Sequence, residues 1–245
     1  MLHYKNDTKL RFYLQREMGH RRHFRNWKEN LNRSQAVINM SPSFVEQMLT
    51  YSNTLYSSYQ AQVGAGTRKP AELVNDRKRL AVEDMLFGSI GKEIAYSALS
   101  PDGTGLWSYG DLAVTLRDVS VAHRSSLLEE NSFDFMKTHK IELMAESLPL
   151  GYRSTWKGRS HLGAAKLAAE LHETMSDSEI NALILTSDGD RGVDKFIEIH
   201  IFGTFDNNAI AKVVSRVTRK SGKVNVVLSG IKDKAKKLGI EFLNV

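Results

Sequence analysis

Apolar and polar positions alternate most strictly along Asp194-Lys195-Phe196-Ile197-Glu198-Ile199-His200-Ile201-Phe202-Gly203. Ile197, Ile199 and Ile201 fall on one face of a strand, and Phe196, Glu198, His200 and Phe202 fall on the other. The β-branched face suits a pleated, half-buried strand and reads as core. The opposite face sets a carboxylate and an imidazole side by side between aromatic rings, a partly desolvated setting suited to chemistry. The plainer alternative is an edge strand with a charged face and two packing phenylalanines.

The same patterns predict the other elements. Ser41-Pro42 opens a helix, serine as cap and proline in the first turn, and a stripe of Phe44, Met48, Leu55 and Tyr59 carries it to about residue 62. Val63-Gly64-Ala65-Gly66-Thr67-Arg68-Lys69-Pro70 breaks it into a loop that could line a site. A second helix is expected over 71–87, stopped at Gly88. Strands are expected over 94–99 and, with Leu112, Val114 and Leu116 alternating, after Tyr109-Gly110; the turn Ser100-Pro101-Asp102-Gly103-Thr104-Gly105 separates them. Residues 135–155 give no clear period. Ser160 caps a helix to about residue 175, and strands are expected over 182–186 and 224–228. A helix over 231–238 ends at Gly239, and 240–245 is a last strand. Helices come first and strands dominate later, so the expected class is α+β.

Composition narrows the classes of partner. The 245 residues include no cysteine, which excludes disulfides, thiolate metal sites and cysteine nucleophiles. No apolar run is long enough for a membrane span, and the first residues hold no apolar signal core. A cytoplasmic protein, or one delivered without a signal peptide, is expected. Net charge is +6, with the excess in residues 1–33 and at the C-terminal end. Basic ends suit an acidic partner such as RNA or a translation component, or serve solubility. Arg21, Arg22 and Arg25 lie among Phe12, Tyr13, Phe24 and Trp27, an arrangement that fits base stacking or a docked amphipathic helix. The fold core is expected within 34–245, behind a dispensable basic arm at 1–33.

The eight histidines are scattered, and Glu198 with His200 offers two metal ligands without a third, so no metal is expected. Walker and nucleophile-elbow motifs are absent. One carboxylate on a strand suits cleavage of a glycosidic bond through an oxocarbenium-like transition state. A diphosphate on the substrate would need arginine and backbone donors, which Arg124 with Ser125 and Ser126, and Arg68, could supply.

Four pieces in order carry a resemblance. They are Glu83-Asp84-Met85-Leu86-Phe87-Gly88 followed by Tyr96-Ser97-Ala98-Leu99; Tyr109-Gly110-Asp111-Leu112; Arg124-Ser125-Ser126 with Asn131-Ser132; and Phe196-Ile197-Glu198-Ile199-His200-Ile201-Phe202-Gly203. Together they resemble the ADP-ribosyltransferase-like proteins found among bacterial toxins and effectors. The resemblance implies a split, mostly antiparallel sheet with NAD as substrate in the cleft, and transfer of ADP-ribose to a protein or RNA. It implies Glu198 as the catalytic glutamate, His200 assisting the acceptor, and Arg124, Ser125, Ser126 and Tyr109 around NAD. An immunity protein or antitoxin is an implied partner. Family members carry arginine or histidine on the first core strand; Tyr56-Ser57-Ser58-Tyr59, in the corresponding region, has neither. An NAD glycohydrolase and a non-catalytic nucleic-acid-binding protein remain the alternative readings.

Overall fold

The computed structural model describes residues 28–70, 73–141, 149, 151–167, 170, 174–187, 189–217 and 222–245. Eight strands among them pair into one sheet: β1 (Gln35–Met40), β2 (Ile94–Ser100), β3 (Leu112–Leu116), β4 (Ser125–Leu128), β5 (Arg153–Thr155), β6 (Glu198–Phe202), β7 (Ile210–Ser215) and β8 (Glu241–Asn244). The order is β5-β4-β6-β2-β1-β3-β7-β8. All pairs are antiparallel except β7 with β8. The helices that matter below are α1 (Pro42–Thr50), α2 (Tyr59–Gly64), α3 (Leu73–Phe87), α4 (Ser132–Thr138), α5 (Arg159–Leu167), α6 (Asp177–Ile184) and α7 (Gly222–Lys237). The class is α+β, as expected, with a mostly antiparallel open sheet. The expected split is not seen among the described residues, since the strands form one hydrogen-bonded series.

Strand alternation sorts side chains onto two faces. Ile38, Ala95, Leu99, Leu127, Ile197, Ile199 and Ile201 line one of them. Against it pack Met48 of α1, Leu162 of α5, Ile184 of α6 and Ile231 of α7, all fully buried. Each isoleucine so buried stabilises the fold by about 1.5–3 kcal/mol. The other face is covered only in part. Val82 and Leu86 of α3 with Phe135 and Met136 of α4 close over Leu128. Over β1 and β2 that face carries Val37, Asn39, Tyr96 and Ala98, and the cleft lies against them.

Several expectations are corrected. β6 is an internal strand between β4 and β2, which overturns the edge-strand alternative. The helix expected over 41–62 breaks after Thr50, where Tyr51 and Leu55 are exposed, and Ser58 caps a new start for α2. Residues 182–184 belong to α6, begun by a capping box of Ser176 and Glu179, and 224–228 belong to α7. Short apolar runs fit buried helix as well as strand, and the cap decides between them. β1, β4, β5 and β7 were not anticipated. Nearly all of β1 is buried on both faces, so it shows no alternation. The first core strand is therefore 35–40, not 56–59; Tyr56 makes only an isolated bridge with Phe205. α3 ends at Gly88 with φ +59°, as expected of a glycine stop. Leu31, placed by the sequence pattern in the arm, is fully buried in the main core. Residues 1–27 of the arm, with Arg21, Arg22 and Arg25, lie outside the described residues.

Candidate functional site

The register of the sheet builds the floor of the cleft. Ala98 lies opposite Glu198, which in turn lies opposite Leu128; Tyr96, His200 and Ser126 form the adjacent row. Glu198 is therefore on the face that bears the cleft, and is 5% exposed. Its carboxylate is held from several sides. The Ser132 backbone N–H donates to Oε1 at 3.2 Å, and the Ser132 hydroxyl donates to the same oxygen. His200 Nε2 donates to Oε1 at 2.8 Å, and Asn131 Nδ2 to Oε2 at 3.4 Å. Since a carboxylate only accepts, Nε2 carries the proton, and the Ser126 hydroxyl faces Nδ1 at 3.5 Å. Asn131 also caps α4 through the Phe133 N–H, which fixes the loop that supplies these donors.

The cleft holds about 370 Å³, within the range of small-molecule sites. Glu198 lines it, and so do the cations Arg68, Arg79 and Arg191. Each guanidinium lies on an aromatic face. Arg68 and Arg79 are 4.8 and 4.6 Å from the Tyr59 ring centre, and Arg191 is 4.5 Å from that of Tyr109. Asn39 of β1 anchors one rim, donating to the carbonyls of Thr104 and Gly110 and accepting the Leu106 N–H at 2.7 Å. A side chain at Gly105, with φ +62°, would collide with Asn39, so this rim needs glycine there. Burial raises the Tyr96 hydroxyl pKa strongly, and the charges of Glu198 and Glu83 add to it. Burial raises the Glu83 carboxyl pKa as well, opposed by Arg79.

The expected site residues part company here. Glu198, Tyr109 and Arg68 line the cleft. His200 does not: it is 1% exposed, its ring against Phe87 and Tyr96, and it orients Glu198 from behind. Arg124 is spent on backbone, donating to the carbonyls of Phe202, Thr204 and Ser120 at 2.8–2.9 Å. Successive residues of a strand point opposite ways, so the serine pair divides. Ser126 meets His200, while Ser125 donates to the Val121 carbonyl. β1 reads Gln-Ala-Val-Ile-Asn-Met and carries no arginine or histidine. Sequence reasoning missed Arg79, Arg191 and Glu83 as site groups. The helical stripe of α3 carried no signal for a cleft on its polar side.

Outside the cleft, Glu129, Glu130 and His139 bring one ligand atom each within 4.8 Å of one another. The Lys166 ammonium, which donates to the Glu129 carbonyl at 2.5 Å, places a cation beside them, so the trio suits a divalent ion poorly. No helix among the described residues is long and apolar enough to cross a membrane. No protein-family model matches the sequence, and no curated protein matches it.

Proposed function

We propose that the chain is an NAD-cleaving enzyme of the mono-ADP-ribosyltransferase type, which transfers ADP-ribose to a macromolecular acceptor. The observation that supports it is one buried, fully hydrogen-bonded carboxylate, Glu198, on the floor of a cleft whose other charges are three arginines on aromatic faces. NAD matches this polarity. Its diphosphate suits the arginines, and the positive charge that develops on ribose as nicotinamide leaves suits Glu198. In this reading Glu198 is the catalytic residue, with His200 and Ser132 as its positioning residues. Arg68 and Arg79 hold the anionic part of the substrate, in the role first expected of Arg124. Basic ends would engage an acidic acceptor such as RNA. Water as acceptor would give NAD glycohydrolase activity through the same first step.

The test is NAD turnover by wild type and Glu198→Gln, read beside their melting temperatures. Glutamine keeps size and hydrogen bonding but removes the charge. The variant should fold and bind NAD, yet lose most turnover, because the lost interaction acts in the transition state. Undiminished turnover would sink the assignment. Labelled NAD incubated with lysate, followed by separate protein and RNA fractions, identifies the acceptor class.

A further inference from the structure

Arg79 and Glu83 lie one turn apart on α3, and their pairing is loose. Arg79 Nη1 is 3.9 Å from Glu83 Oε1, beyond hydrogen-bond reach, and that buried oxygen accepts no hydrogen bond. The arginine side chain is 31% exposed, toward the cleft it lines, while that of the glutamate is 3% exposed. Aromatic faces steer the guanidinium: Tyr59 at 4.6 Å, and Tyr96 and Phe133 at 5.9 Å each. Arg68 shares the Tyr59 ring, so two cations converge on one wall. The groups facing Glu83 are Arg79 on its own helix, Gln60 of α2 through Nε2 at 3.4 Å, the Tyr96 hydroxyl of β2, and the charge of Glu198 on β6.

We propose that Arg79 and Glu83 form an oxyanion site in the cleft wall whose filling draws a proton onto Glu83. The ligand class is a phosphate, sulfate or phosphodiester group. When such an anion takes the open side of Arg79, the guanidinium no longer balances Glu83. That carboxylate is then a buried charge near a second carboxylate, Glu198, with only the Gln60 amide and the Tyr96 hydroxyl left to favour its ionised form. Taking one proton from solvent forms the Glu83 O–H bond and removes the conflict. The raised pKa of Glu83, caused first by burial, is in keeping with this exchange. Any oxyanion would serve, so the inference does not depend on NAD being the substrate.

Calorimetry with two probes, sodium sulfate and ADP-ribose, tests it. Neither probe changes charge between about pH 5 and pH 8. Wild-type affinity should fall as pH rises, by at most about tenfold per pH unit for one linked proton. The heat of binding should vary with the ionisation enthalpy of the buffer, which reports proton uptake directly. Glu83→Gln, neutral throughout, should lose this pH slope and bind more tightly than wild type near the upper end of the range. Arg79→Gln should lose sulfate binding. A wild-type slope in Glu83→Gln, wild-type sulfate affinity in Arg79→Gln, or no sulfate binding by wild type would each overturn the proposal. Should Glu83→Gln not fold, the buffer dependence of wild type decides alone, and a buffer-independent heat overturns it. Proton-linked sulfate binding without NAD turnover would support this site while removing the ADP-ribosyl reading.

Discussion

The donors around Glu198 make separate predictions for separate side chains. On the proposed reading, Glu198→Gln should lower NAD turnover on the order of a hundredfold or more, the scale of a missing electrostatic interaction in a transition state. Ser132→Ala removes one hydroxyl donor to a buried carboxylate and should cost about 1.5–3 kcal/mol of stability, measured by urea unfolding. Its turnover should fall less than that of Glu198→Gln, since His200 and the Ser132 N–H still hold the carboxylate. Glu83 sets a pH dependence with a definite sign. Its carboxyl pKa is raised from 4.5 by burial, so above that pH the folded state binds more protons than the unfolded state. The stability it contributes is present at low pH and lost as pH rises through the raised value. Glu83→Gln should therefore melt higher than wild type at alkaline pH, and the difference should shrink toward pH 4.5. A variant that melts lower at every pH would show that Glu83 works as a structural ion pair.

At the scale of elements, β6 couples the floor of the cleft to the core. Ile199 lies between Glu198 and His200 but faces the other way and is fully buried. Ile199→Ala should cost about 2–5 kcal/mol through a cavity, visible as a lower urea midpoint, with the polar face left intact. The two faces of this strand were legible in the sequence because one face is all isoleucine and period two admits a single arrangement. β3 and the ends at Gly88 and Gly239 were legible for similar local reasons, alternation in one case and positive φ in the others. β1 was not, because a strand buried on both faces has no polar beat. The stretch 224–228 looked like a strand because valines dominate it, yet α7 runs over it toward Ile231 and Ala235, both fully buried. The arginines of the site were illegible for a different reason. Arg68, Arg79 and Arg191 come from three separate segments, and only the tertiary fold brings them to one cleft.

For the molecule as a whole, the net charge of +6 and the exposed Lys232, Lys236 and Lys237 of α7 bear on partners. If RNA is the acceptor, replacing these lysines with glutamine should flatten the salt dependence of binding, by about 0.7–0.9 in log–log slope for each phosphate no longer neutralised. An unchanged slope would leave them as a solvated face. Residues 28–33 also belong to the folded unit through Leu31. A chain beginning at Ser34 should melt lower than one beginning at Lys28. The place of β6 in the sheet has a consequence for synthesis. β6 bridges β2 and β4, and its His200 meets Ser126, 74 positions earlier. A ribosome moving at about 5–20 residues per second needs several seconds to cross that interval. During it, the β1–β2–β3 sheet and the β4–β5 pair have no strand between them, and the facing edges of β2 and β4 stay unpaired. The residues that join the two halves are the ones that carry Glu198. A nascent chain thus holds most of the cleft wall before it holds the floor, and it gains both the carboxylate and the continuous sheet in one late step.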